Sequence, residues 1–138
     1  MIIDNVIKFI SAIVLCIAIT IACTKNMVVT VVIIISDPAE HNMKIIPPNP
    51  VSSDEIKLVV YDDCKYNNLS GITRDGNTVQ IVKQFNSRMM IPCFITNDTI
   101  KIGKLSQGSY LLNYKLLDNA TSPPKATLNL DFSLVVSQ

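Results

Sequence analysis

The sequence predicts an all-β fold, a sandwich of short strands, and three observations predict it. Leu128, Leu130, Phe132, Leu134 and Val136 alternate with Thr127, Asn129, Asp131, Ser133 and Val135. That period of two lines one face of a strand and would wrap around a helix. Asp75-Gly76-Asn77 separates two β-type runs, Leu69 to Arg74 and Thr78 to Lys83, which is a hairpin signal. Turn residues recur at regular spacing from residue 51 to the end, dividing the chain into about seven short strands, the pattern of a β-sandwich.

The chain has 138 residues, a single-domain length, and three stretches of different character. Residues 1–23 are expected to be an export or anchoring helix. Phe9 to Cys23 holds no charge and is rich in Ile, Val, Ala and Leu, with Lys8 before it. This is a positive n-region followed by an apolar h-region, and it is short for a membrane span of about 20 residues. Residues 24–50 read as a tether with a first extended segment. They contain an apolar run from Met27 to Ile35, a polar break from Asp37 to His41 and a stiff connector, Pro47-Pro48-Asn49-Pro50. Residues 51–138 read as the sandwich.

Within the sandwich, Ile56, Leu58 and Val60 line one strand face after the turn chemistry of Val51-Ser52-Ser53-Asp54. Arg88 to Thr96 is expected to be an edge or bulged strand, because Pro92 lacks an amide donor. Asn97-Asp98 is expected to turn the chain, with Ile100 and Ile102 on the strand that follows. Tyr110, Leu112, Tyr114 and Leu116 share one strand face, and Asp118 to Lys125 is a polar loop.

Two motifs carry resemblances. Thr20-Ile21-Ala22-Cys23 resembles the lipobox of bacterial lipoproteins, with Thr20 where that motif usually has Leu. The resemblance implies cleavage before Cys23 and acylation of its thiol. A cleaved signal without lipid and an uncleaved anchor are the other two readings of the segment. Leu105-Ser106-Gln107-Gly108-Ser109-Tyr110 resembles the tyrosine corner of immunoglobulin-like sandwiches, in which a Tyr hydroxyl bonds the backbone just upstream. Gly108 and Tyr110 are its expected key residues. Immunoglobulin domains place a disulfide cysteine two residues after that Tyr, and Leu112 stands there instead. With Ser52 to Leu58 and Asp75 to Thr78, this segment also resembles the immunoglobulin-like modules of small envelope lipoproteins in Bacteroidota-type bacteria. That resemblance implies an immunoglobulin-like fold and a cell-envelope location, and it implies no reaction.

Composition excludes some functions. The net charge is +1 and stays so without the first 23 residues, which hold one Lys and one Asp. With no Lys/Arg run and no interleaved aromatics, nothing favours a nucleic-acid partner. Cys64 and Cys93 form an even pair in an exported domain and are expected to be disulfide-bonded. They lack the close spacing of a redox or metal pair. His41 is the one histidine and falls in the tether, so no catalytic residue is assigned. No metal or cofactor site is assigned either: Asp62 and Asp63 lack regular ligand spacing and read as solvated turn residues. The inward positions read as apolar, so no buried titratable group is expected.

The expected function is a non-enzymatic exported binding or structural module at the cell envelope. The membrane is its partner through the N-terminal segment or a lipid, and a protein or glycan ligand would meet loops Asp62 to Asn68, Asp75 to Asn77 and Asn119 to Lys125. A small exported hydrolase and a subunit of an envelope assembly are the alternatives. An exposed edge at Arg88 to Thr96 would favour the second.

Overall fold

The computed structural model describes residues 34–138, so the apolar N-terminal segment and Cys23 lie outside the described residues. Seven strands follow a short 3-10 turn at Pro38–His41: β1 (Met43–Ile46), β2 (Ile56–Cys64), β3 (Asn68–Asp75), β4 (Thr78–Phe85), β5 (Ile95–Gly103), β6 (Gly108–Asp118) and β7 (Lys125–Val136). They form two sheets, ordered β1-β2-β5 and β3-β4-β6-β7.

The alternation explains the layering. From the smaller sheet, Met43, Ile56, Leu58, Val60 and Ile100 are buried. From the larger sheet, Val79, Ile81, Leu112, Tyr114, Leu130, Phe132, Leu134 and Val136 join them in one cluster. Each set occupies every second position of its strand, so one face of each sheet leaves water.

The β3–β4 hairpin turns where Asp75-Gly76-Asn77 predicts, with Gly76 at φ 54°, a conformation that glycine takes without steric cost. What the sequence does not predict is the order of the larger sheet. Immunoglobulin sandwiches are built from antiparallel sheets, whereas β4 here runs parallel to β6, with Ile81 opposite Tyr114 and Lys83 opposite Leu116. The burial of the two hairpin strands accounts for the choice. β4 offers Val79 and Ile81 to the interior, while no residue of β3 is fully buried. The strand with the better inward face takes the central place and its partner is left at the edge.

The tether joins the sandwich. β1 pairs antiparallel with β2, and Ile35 makes an isolated parallel bridge to Asp131 of β7. A second such bridge links Val51 to Ser137. The first covers part of the outer edge of β7, the longest of these strands, and the second pairs the residue that follows it, where backbone groups would otherwise be unpaired.

Two local expectations are corrected. Residues 88–94 are not a strand. The chain turns at Ser87 to Met89, and β5 begins only at Ile95. Pro92 cannot donate to a ladder, and Asn86 folds the start of the segment through its own carbonyl and side chain, which accept from the backbone amides of Met89 and Arg88. Asn97-Asp98 is not a turn but part of β5, with Asp98 opposite Val60.

Candidate functional site

One end of the sandwich carries a cluster of exposed apolar side chains on adjoining segments. β2 turns into β3 at Lys65 to Asn67, and β4 connects to β5 through residues 86–94. Cys64 and Cys93 are disulfide-bonded there, with Cα atoms 5.3 Å apart, within the usual span for such a bond. The bond ties the end of β2 to the β4–β5 loop. The Lys65 amide donates to the Phe94 carbonyl at 2.9 Å, and the Tyr66 and Phe94 rings meet edge to face, 6.3 Å between centroids.

The start of the loop is held from β6. The Asp118 carboxylate accepts from the Ser87 hydroxyl at 2.6 Å and from the Ser87 and Ala120 amides at 3.1 and 3.0 Å. These hydrogen bonds, led by that of the Ser87 hydroxyl, hold the Asp118 carboxyl below the usual carboxylate range. Between the two anchored ends the tip projects into solvent. Met90 is fully exposed, and Met89, Ile91, Phe94 and Ile95 are all exposed. A groove of about 700 Å³ runs beneath the tip, lined among others by Tyr66, Asn67, Asn68, Phe85, Met90 and Asn119.

The structure therefore brings together parts of two expected binding loops, Asp62 to Asn68 and Asn119 to Lys125, and adds a third segment to them. Asp75 to Asn77 is not among the groove residues; it lies at the other end of β4. The signal for the third segment was present in Met89-Met90-Ile91, followed by Phe94-Ile95. Its apolar character reads as a strand until Pro92 and the missing alternation are given more weight.

At that other end, the Tyr110 hydroxyl donates to the Ser106 carbonyl at 2.9 Å, and Gly108 takes φ 155° beside the ring. Arg74 adds a hydrogen bond to the same hydroxyl, and its guanidinium lies 5.2 Å from the ring centroid. His41 ends the exposed 3-10 turn.

The core is not purely apolar, which corrects a second set of expectations. Lys83 on β4 is 0% exposed, and its ammonium contacts Asp63 of β2 and Asp98 of β5. Asp63 is buried rather than solvated. A bulge explains this: the β2–β5 register shifts between Val60 and Asp63, with Asp62 at φ 53°. Strict alternation from Val60 would send Asp62 inward; the extra residue sends Asp63 there instead. Burial, reinforced by the nearby Asp63 and Asp98, pushes the Tyr114 hydroxyl well above its ordinary value. A sequence signal for the cluster exists: Val79, Ile81 and Lys83 share one face, and a lysine on the inward face of a strand requires a buried partner.

No family model, curated protein sequence or solved structure matches the chain. Among the described residues, no group of three or more His, Cys, Asp or Glu side chains is placed to hold a metal ion, and no helix is long and apolar enough to cross a membrane.

Proposed function

We propose that the protein is a non-enzymatic binding or structural module held outside the cytoplasm at the cell envelope, and that it captures a protein partner at its disulfide-stapled apolar end. The observation that carries this reading is the exposed Met89-Met90-Ile91 tip over an open groove. Exposed contiguous apolar side chains on a folded domain favour contact with another molecule. Methionine suits such a surface because its flexible, polarizable chain adapts to a partner. The polar groove residues Asn67, Asn68 and Asn119 supply hydrogen-bonding groups around the apolar centre, as interface rims do. A glycan remains the second ligand class these amides would serve.

The N-terminal segment supports the location. Cys23 acylation would tether the module through residues 24–33, and the disulfide fits an oxidising compartment. The finer fold assignment is immunoglobulin-like, with the tyrosine-corner contact in its favour and the parallel β4–β6 pairing as its departure.

A photo-crosslinking residue at position 90 tests the binding surface in the native envelope. Adducts at position 90 and none from exposed Thr73 on β3 are expected; equal labelling at both overturns the reading. Fatty-acid analogue labelling that persists in Cys23→Ala overturns the lipid anchor.

A further inference from the structure

We propose that Lys83 and Asp63 condense spontaneously to an amide, a covalent cross-link between the two sheets, with Asp98 as the proton carrier. The three side chains come from β4, β2 and β5, so the pair joins the larger sheet to the smaller one through the core. The Lys83 Nζ contacts Asp63 Oδ2 directly and lies 2.7 Å from Asp98 Oδ2.

The other oxygen of Asp63 points to a reaction rather than to a simple ion pair. Oδ1 accepts from the Cys64 amide at 2.9 Å and from Asn67 Nδ2 at 2.7 Å. Two preorganised donors on one carboxyl oxygen, with an amine on the other side of the same carbon, reproduce the arrangement that stabilises an oxyanion during acyl transfer. Nucleophile, acyl carbon and proton carrier are held by strands, and the oxyanion donors by the end of β2 and the β2–β3 turn, so the bimolecular entropy cost is already met.

The step balances without any added reagent. The Lys83 ammonium passes one proton to Asp63 Oδ2, leaving a neutral amine and a carboxylic acid. The nitrogen lone pair attacks Asp63 Cγ, forming the C–N bond and placing negative charge on Oδ1 between its two donors. Asp98 removes a second proton from nitrogen and delivers it to the Oδ2 hydroxyl. The C–Oδ2 bond breaks, one water leaves, Oδ1 becomes the amide carbonyl and Asp98 returns to its carboxylate form. A shallow pocket of about 350 Å³ that includes Asp63, Lys83, Asn97 and Asp98 in its lining gives the water a way out. Like the inter-sheet disulfide of immunoglobulin domains, whose second cysteine position is Leu112 on β6 here, this link would join the two sheets covalently, but from β2 to β4.

Peptide mapping of the full chain, reduced and alkylated before trypsin digestion, tests the link independently of N-terminal processing. The expected product is a branched peptide joining Leu58–Lys65 to Asp75–Arg88, uncleaved after Lys83 and lighter than its two parts by one water. Asp98→Asn is expected to abolish the branch and release Asp75–Lys83 as a separate peptide. Quantitative cleavage after Lys83 in the unsubstituted protein overturns the proposal whatever the variant does. A branch that forms equally in Asp98→Asn overturns the role given to Asp98.

Discussion

Replacing Phe132 with alanine removes a ring from the middle of the inward face of β7. The side chain is 0% exposed and pairs across the sheet with Leu112, which is equally buried. A buried aromatic takes about 150–250 Å² out of water. Losing roughly 150 Å² of that, at about 25 cal/mol per Å², costs about 4 kcal/mol. Measured aromatic-to-alanine changes in cores fall at about 3–5 kcal/mol, the cavity included. Domains of this kind are stable by about 5–15 kcal/mol, so the variant should be a large fraction of the way to unfolding. Urea denaturation with the disulfide intact is the assay. With a slope of about 1–3 kcal/mol per molar, the midpoint should fall by about 2 M. Val135→Ala on the same strand is the control, because Val135 is 61% exposed; its cost should stay within about 0.5 kcal/mol. Equal midpoints for the two variants would refute the assignment of alternate β7 positions to the interior.

Asp63→Ala removes the acyl partner of the proposed link and leaves a buried Lys83 ammonium facing Asp98 alone, so it should cost at least about 3 kcal/mol, the low end for breaking a buried pair. Lys125→Ala, at an exposed position, should cost less than about 0.5 kcal/mol in the same unfolding assay. Replacing Cys64 and Cys93 together with serine should lower stability by about 3–4 kcal/mol, for a bond that closes a separation of 29 residues; reductant should shift the unsubstituted protein to match and leave the variant unmoved. Asp118 adds an acid-side dependence. Its folded pKa lies below the ordinary value, so its contribution is present above the usual carboxylate range and is lost as pH falls through the folded value. The unfolding midpoint of Asp118→Asn should therefore fall less steeply in acid than that of the parent.

Much of the fold is legible in single strands. The faces of β2, β6 and β7 follow from Ile56-x-Leu58-x-Val60, Tyr110-x-Leu112-x-Tyr114 and the Leu128 to Val136 alternation, because period two assigns sides without tertiary knowledge. The hairpin at Gly76 is equally local. What escapes such a reading is non-local. The place of β4 beside β6 depends on competition between two strands of one hairpin, which no short window contains. The Asp63 side chain reverses face through a single extra residue at Asp62, and only its partners Lys83 and Asp98 make the bulge worthwhile. The candidate binding end is half visible in the sequence: Asp62 to Asn68 and Asn119 to Lys125 read as surface loops, while the apolar tip reads as a strand that Pro92 and Asn86 prevent.

The parallel pairing of β4 with β6 also has a kinetic consequence. A parallel pair cannot close through a tight turn, and here the chain must first cross to the other sheet, lay down β5 and return before β6 meets β4. The β3–β4 hairpin, by contrast, has close contacts along the sequence and lies entirely between Cys64 and Cys93. Early oxidation of that pair would enclose a completed hairpin and would not entangle the later strands. Both sheets close through distant pairings, Leu58 with Ile100 in the smaller and Ile81 with Tyr114 in the larger, so these closures should set the folding rate, in the slow range typical of sandwiches dominated by distant contacts. Substitutions at the β4–β6 contact, such as Ile81→Val, should then slow folding if that contact forms in the transition state, whereas those at the hairpin tip should act mainly on unfolding.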